Sequence, residues 1–192
     1  MKKILYINAC CRDNSRTNDL AQHLLGGVNG QIETVNLYDE NISPINAELL
    51  SKRDNLLKDA KTDDEMFAFA KQFASADTIV IAAPYWDLMF PSILKVYLEN
   101  ITVCGITFRY SDKGFPQSLC KAKNLCYITT AGGFIGDNNF GFDYVRALAT
   151  GFFGIDNVRF FSAEGLDIYG ADVDQIMKKA KENMLFQISN NK

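Results

Sequence analysis

The sequence has only one histidine, His23, which excludes a metal site built from several histidines. Its five cysteines are odd in number and form no C-x-x-C pair, so reduced thiols are expected rather than a disulfide framework or a zinc ribbon. The formal net charge is only -3, which gives no basis for a nucleic-acid-binding surface. No apolar run approaches the roughly 20 residues that cross a bilayer, and the run at 4–7 is too short for a signal peptide. We therefore expect a cytoplasmic protein with neither nucleic-acid nor membrane partners.

Apolar runs typical of strands alternate along the chain with segments of helical periodicity. The predicted strands are 3–9, 31–37, 77–83, 124–130 and 158–163. The predicted helices are 17–28, about 48–57, 62 to about 74 (opened by a capping box from Thr62 to Glu65), 91 to about 103, 142–153 and 172–188. This alternation predicts an α/β protein with one domain, 1–192, and a doubly wound, five-stranded parallel sheet. The strand order expected is the flavodoxin-like 2-1-3-4-5, with helices on both faces.

In a doubly wound sheet, ligands bind beyond the carboxyl ends of the strands, where the strand order reverses. This rule nominates the loops 10–17, 84–90 and 131–138. In the first loop, Ser15, Arg16 and Thr17 stand where a helix begins, and hydroxyl, guanidinium and free N–H groups there favour a phosphate. Either Arg16 or Arg12 could supply the guanidinium. The alternative is that Ser15 or Thr17 only caps the helix.

The first loop also has a second interpretation, because Cys10, Arg16 and Thr17 match the pattern C-x5-R-T. This pattern resembles the catalytic loop of low-molecular-weight tyrosine phosphatases, in which a thiolate attacks phosphorus. That family takes its general acid from an Asp-Pro pair, and the present sequence has none. The loop also lacks the glycine that eases a tightly wound phosphate cradle.

The second and third loops have the composition expected around a flat ring. Aromatic side chains in the second loop can cover a ring face, and adjacent glycines in the third let backbone N–H groups approach its edge. The residues concerned are Pro84, Tyr85, Trp86, Asp87 and Leu88, followed by Thr130, Ala131, Gly132, Gly133 and Phe134. The alternatives are that the aromatics fill the core and that the glycines form an ordinary turn.

Taken in order, these motifs resemble those of the NAD(P)H:quinone oxidoreductase family, which includes bacterial FMN-dependent azoreductases. The segment 84–95 resembles that family's P-x(6)-P-A-I-L-K, and 105–110 (GITFRY) is similar to the azoreductase G-V-T-F-R-Y. The segment 129–133 (TTAGG) looks like the family's T-[ST]-x-G-G loop. Ser15 and Thr17 fall where the family carries S-x-[ST] at the flavin phosphate. The resemblance extends from about residue 3 to 165.

The resemblance implies a ping-pong oxidoreductase with FMN favoured over FAD. NAD(P)H would deliver hydride to flavin N5, and a quinone, azo compound or similar small-molecule acceptor would then take it. By position, Ser15, Arg16 and Thr17 would hold the phosphate. The edge and face of the ring would be lined by Tyr85, Trp86, Asp87 and Leu88, and N1 and O2 would be contacted by Thr130, Gly132 and Gly133. Pro84 and Ala131 are also expected among the cofactor-binding residues. Phe108, Tyr110 and Phe134 would form the acceptor pocket, at the interface of a homodimer. No protein residue is required as an acid or base, because the cofactor carries the chemistry.

Two questions stay open on the sequence. A flavodoxin-like electron carrier without its own NAD(P)H oxidase activity would share the fold and the flavin site. No ribose-reading acid or arginine can be placed, so the sequence leaves the choice between NADH and NADPH undecided.

Overall fold

A parallel sheet of five strands runs through the centre of the computed structural model, which describes residues 1–189. The strands in chain order are β1 (Lys3–Asn8), β2 (Gln31–Asn36), β3 (Thr78–Ala82), β4 (Phe108–Tyr110), β5 (Pro116–Ser118), β6 (Asn124–Thr130) and β7 (Asn157–Ala163). The order in the large sheet is β2-β1-β3-β6-β7, and all its neighbouring strands are parallel. The predicted order 2-1-3-4-5 is therefore confirmed, with β6 and β7 as its fourth and fifth strands.

Helices cover both faces of this sheet, as predicted. They are α1 (Arg16–Gly26), α2 (Ala47–Lys58), α3 (Ala68–Ser75), α4 (Ser92–Ile101), α5 (Phe140–Gly151) and α6 (Val173–Ser189). One apolar cluster joins Leu24 of α1 and Met184 of α6 to one face, and another joins Phe73 of α3 and Leu94 of α4 to the other. Because both faces are covered, β1 and β3 are continuous apolar runs rather than alternating ones.

The strands β4 and β5 form a separate antiparallel hairpin that the sequence did not reveal. Each has only three residues, too few for a periodic pattern. The hairpin lies between α4 and β6 in the chain and carries Phe108 and Tyr110, two residues predicted for the acceptor pocket.

The prediction that Thr62 caps the third helix is wrong. A short 3-10 helix (Glu65–Phe67) precedes α3, and the Asp64 side chain caps it by accepting a hydrogen bond from the Met66 amide at 2.9 Å. Both residue types make good caps, and the chain uses the later one.

The single domain 1–192 stays a prediction, and its residues 190–192 lie outside the described part of the chain. Among the helices of residues 1–189, none combines the length and the hydropathy that a membrane span requires.

Candidate functional site

The three nominated loops converge on one cavity at the carboxyl ends of β1, β3 and β6. Its volume is about 360 Å³, which is within the range of small-molecule sites. The lining residues are Cys11, Arg12, Asn14, Ser15, Arg16, Thr17, Pro84, Tyr85, Trp86, Thr130, Ala131, Gly132, Leu166 and Asp167. The structure thus brings together most of the residues predicted to hold the cofactor. Asp87, Leu88 and Gly133 flank the cavity in sequence without lining it.

The N-terminus of helix α1 lies at this cavity with two backbone N–H donors available. Ser15 is its N-cap, and the Ser15 hydroxyl accepts from the Asn18 amide at 3.3 Å. The first intrahelical bond runs from the Asp19 amide to the Ser15 carbonyl, so the N–H groups of Arg16 and Thr17 have no intrahelical acceptor. Capping and anion binding are therefore compatible here, because the cap leaves free the two donors on which a phosphate would depend.

Thr130 joins the three loops to one another. Its hydroxyl oxygen lies 2.6 Å from that of Thr17, which is almost fully buried, and its carbonyl accepts from the Tyr85 amide at 3.0 Å. The Thr17 and Thr130 hydroxyls thus bond each other, and they fix the relative positions of the loop ends around the cavity.

The glycine loop after β6 lines the cavity through Ala131 and Gly132. Its carbonyls at Ala131, Gly132 and Gly133 accept from the amides of Leu166, Asp167 and Gly165, at 2.9–3.2 Å. The N–H groups of Gly132 and Gly133 have no backbone acceptor within residues 1–189. Free N–H groups at this position suit an electron-rich ring edge.

Asp167, which follows the fifth strand of the sheet, lies at the end of the cavity beside α1. Its Oδ1 is 3.1 Å from Nη1 of Arg16. The sequence prediction missed Asp167 because only the loops after the first, third and fourth strands were nominated. The same carboxyl-edge rule, applied to the loop after the fifth strand, would have found it. Cys11, Asn14 and Leu166 also line the cavity and were absent from the predicted set.

The aromatic loop after β3 closes on itself in a strained two-residue turn. Trp86 and Met89 exchange backbone hydrogen bonds of 2.9 and 2.8 Å across Asp87 and Leu88. These two residues have φ values of 50° and 66°, a conformation that such turns usually give to Asn and Gly. A leucine there is under backbone strain, and the paired bonds hold Trp86 at the cavity despite it.

Leu88→Gly is expected to stabilise the flavin-free protein, since glycine adopts a positive φ without strain. The left-handed conformation costs leucine roughly 1–2 kcal/mol, and the greater freedom of glycine in the unfolded chain offsets about 0.5–1 kcal/mol of that gain. We expect Tm to rise by about 2 °C in thermal unfolding. Leu50→Gly, a similarly exposed leucine inside α2, should lower Tm instead. A fall in Tm for Leu88→Gly would mean that the turn is not strained.

The predicted acceptor-pocket residues occupy three different settings. Phe108 is buried and packs edge-on against Tyr110 and Phe152. Tyr110 is exposed on the hairpin. Phe134 is largely exposed and lies against Gly165 and the following loop. None of the three lines the cavity of the described chain, so their role in an acceptor pocket stays a prediction.

Cys10 does not have the character of a phosphatase nucleophile. Burial raises the pKa of its thiol to about 11. Its Sγ lies 3.8 Å from the Ala82 carbonyl oxygen, within hydrogen-bond range for sulfur. Because the pKa is raised, the thiolate forms only as the pH approaches this value, and the neutral thiol dominates near pH 7.

Glu164 braces the loop that follows the glycines. Its two carboxylate oxygens accept from the Ser162 hydroxyl at 2.8 Å and from the Ile135 amide at 3.0 Å. It thereby ties the end of β7 to the loop after β6 and supports the cavity wall without lining it.

Two other types of site are less well supported. A larger cavity of about 760 Å³ lies between α1 and α6. Charged side chains of both signs line it, and no Phe, Tyr or Trp among the described residues does. Within residues 1–189, no group of three or more His, Cys, Asp or Glu side chains is arranged to hold a metal ion.

Comparisons with known proteins agree with this arrangement. A family model described as flavodoxin-like fold matches residues 2–188. An FMN-dependent NADH:quinone oxidoreductase of Lachnoclostridium phytofermentans is 36% identical over 191 residues, covering 95% of this chain and 96% of the relative. The FMN-dependent NADH:quinone oxidoreductase 2 of Clostridium acetobutylicum is 37% identical over 198 residues, with coverages of 95% and 98%.

Solved structures that are similar to this chain agree with the family and sequence comparisons. An FMN-dependent NADH-azoreductase from Bacillus anthracis, in complex with FMN, superposes with a TM-score of 0.83 at 26% identity and covers 99% of both chains. Another Bacillus anthracis azoreductase, at 23% identity, has a TM-score of 0.84 with coverages of 97% and 98%, which supports the fold.

Proposed function

The chain belongs to the family of the flavodoxin-like fold, and on that premise we propose that it is an FMN-dependent NADH:quinone oxidoreductase of the azoreductase type. The observation that carries the proposal is the cavity at the switch point of the sheet, where a helix N-terminus, an aromatic loop and a glycine loop meet. The names of its relatives favour NADH as the electron donor, a choice that the sequence left open.

The residues around the cavity suit FMN at three points. The free amides of Arg16 and Thr17, with the Arg16 guanidinium, suit the phosphate. The half-exposed indole of Trp86 suits one face of the ring. The free N–H groups of Gly132 and Gly133 suit the N1 and O2 edge, where negative charge develops on reduction.

When bound, FMN would supply the hydride chemistry, with N5 as the atom that exchanges hydride in a ping-pong cycle. The protein's own part is to bind and orient. The Thr17–Thr130 bond and the Tyr85–Thr130 bond hold the loop ends in place before the cofactor arrives, so little ordering remains to be done on binding. The paired bonds of the Asp87–Leu88 turn fix the approach of Trp86 to the ring in the same way.

A homodimer with the active site at its interface completes the proposal. The hairpin exposes Tyr110 and Phe115, and Phe134 and Phe140 are exposed on the loop after β6 and at the start of α5. Large exposed aromatics are typical of surfaces that bind a partner. A dimer would let hairpin residues of one subunit reach the cavity of the other, and it would give the acceptor an apolar enclosure. The proposed location is the cytoplasm.

Steady-state oxidation of NADH tests the activity. The FMN-loaded protein should oxidise NADH rapidly when menadione is present, without any added reductase. Turnover that appears only after a separate reductase is added would identify an electron carrier instead. Hydrolysis of p-nitrophenyl phosphate that is lost in Cys10→Ser would identify a phosphatase and contradict the proposal.

A further inference from the structure

Among the described residues that line the cavity, Asp167 is the one carboxylate, and it lies at the end where the phosphate is expected. Its Oδ1 is 3.1 Å from Nη1 of Arg16 at the start of α1. Arg16 is the charged side chain predicted to hold the phosphate, and Asp167 already engages it.

The backbone, and not the ion pair, sets the position of Asp167. Its amide donates to the Gly132 carbonyl at 2.9 Å, and the neighbouring Leu166 amide donates to Ala131. The carboxylate lies so close to the glycine loop that a Cβ on Gly132 would be 2.3 Å from Asp167 Oδ2. A substitution that keeps the shape of Asp167 should therefore leave this segment in place.

The contact with Arg16 has little value for folding. The side chains of Arg16 and Asp167 are 47% and 74% exposed, and ion pairs so open to water contribute little to stability. Arg12 and Arg16 are the cationic side chains of the cavity lining, so Asp167 cancels part of the positive charge that would attract an anion.

We propose that Asp167 competes with the phosphate of the flavin nucleotide for Arg16 and thereby sets how strongly the protein distinguishes FMN from riboflavin. This inference rests on the proposed function. Arg16 must exchange Asp167 for the phosphate when FMN binds, and the carboxylate that it leaves repels the phosphate dianion. Riboflavin lacks the phosphate, so its binding makes no demand on Arg16.

Titration of the flavin-free full-length protein with FMN and with riboflavin tests the inference. Asp167→Asn keeps the size of the side chain and removes its charge. The loss of one unit charge from near-aqueous surroundings should tighten FMN binding about fivefold. Riboflavin affinity should stay within about twofold, because only the phosphate interacts with this charge. Flavin fluorescence reports both dissociation constants.

Asp54→Asn is the matched control, since it removes the same charge from an exposed position on α2, away from the cavity. It should leave both affinities unchanged. The inference is overturned if Asp167→Asn leaves FMN affinity unchanged or weaker, or if it tightens riboflavin as much as FMN. A different result, in which the unmodified protein binds neither flavin, would overturn the proposed function instead.

Discussion

Replacement of Trp86 by alanine is expected to weaken FMN binding by roughly 30-fold. Trp86 lines the cavity, the residue is 40% exposed, and the backbone bonds to Met89 hold it in place without a ligand. An aromatic side chain stacked on a flat heterocycle contributes about 1–3 kcal/mol, and alanine loses that contact. Riboflavin should lose affinity by a similar factor, because the ring is common to both ligands.

Trp86→Phe provides the control, since it keeps an aromatic face and should recover most of the affinity. Flavin fluorescence gives the dissociation constants. In the unmodified protein, Trp86 is the sole tryptophan, so quenching of its emission should follow the same titration. Equal FMN affinity in Trp86→Ala and in the unmodified protein would show that the indole does not contact the ring.

Replacement of Arg16 by alanine is expected to weaken FMN binding about tenfold while leaving riboflavin binding unchanged. A charge-assisted hydrogen bond contributes about 1.5–3 kcal/mol, and the half-exposed position of Arg16 favours the lower end. In the variant no Arg16–Asp167 contact has to break when FMN binds, which also keeps the loss at the lower end. Titration with both flavins measures this selectivity.

Arg146→Ala is the matched control for Arg16→Ala. Arg146 forms a similarly exposed ion pair with Asp143 on α5, and it does not line the cavity. Both variants should lose at most about 1 kcal/mol of folding stability, as expected of surface ion pairs. Unchanged FMN affinity in Arg16→Ala would show that Arg16 stays with Asp167 or faces solvent.

The fold was predictable because its signals are long and repeated. Five strand segments alternate with helical segments, and a single rule then gives the sheet order and the edge at which ligands bind. The hairpin of Phe108–Tyr110 and Pro116–Ser118 was missed because strands of three residues are too short to show an alternation of apolar and polar residues. The capping box at Thr62 failed for a local reason, since Asp64 competes for the same role two residues later.

The site was predictable as a set of loops, and less so as a set of contacts. The loop rule and the residue types predicted Ser15, Trp86 and Gly132 at the carboxyl edge of the sheet, and the structure brings them to one cavity. The positive φ of Leu88 could not be foreseen, because the sequence has a bulky residue where the turn favours glycine. The contact between Arg16 and Asp167 joins positions 151 residues apart, and no local pattern reports such a pairing.

The most direct test of the cavity is the visible spectrum of the purified protein after incubation with FMN and removal of free ligand. We predict a yellow protein that retains one FMN per chain, and an absorption band that NADH bleaches in the absence of oxygen. A protein that stays colourless after incubation with FMN and with FAD would contradict the flavin site, and with it the function proposed from it.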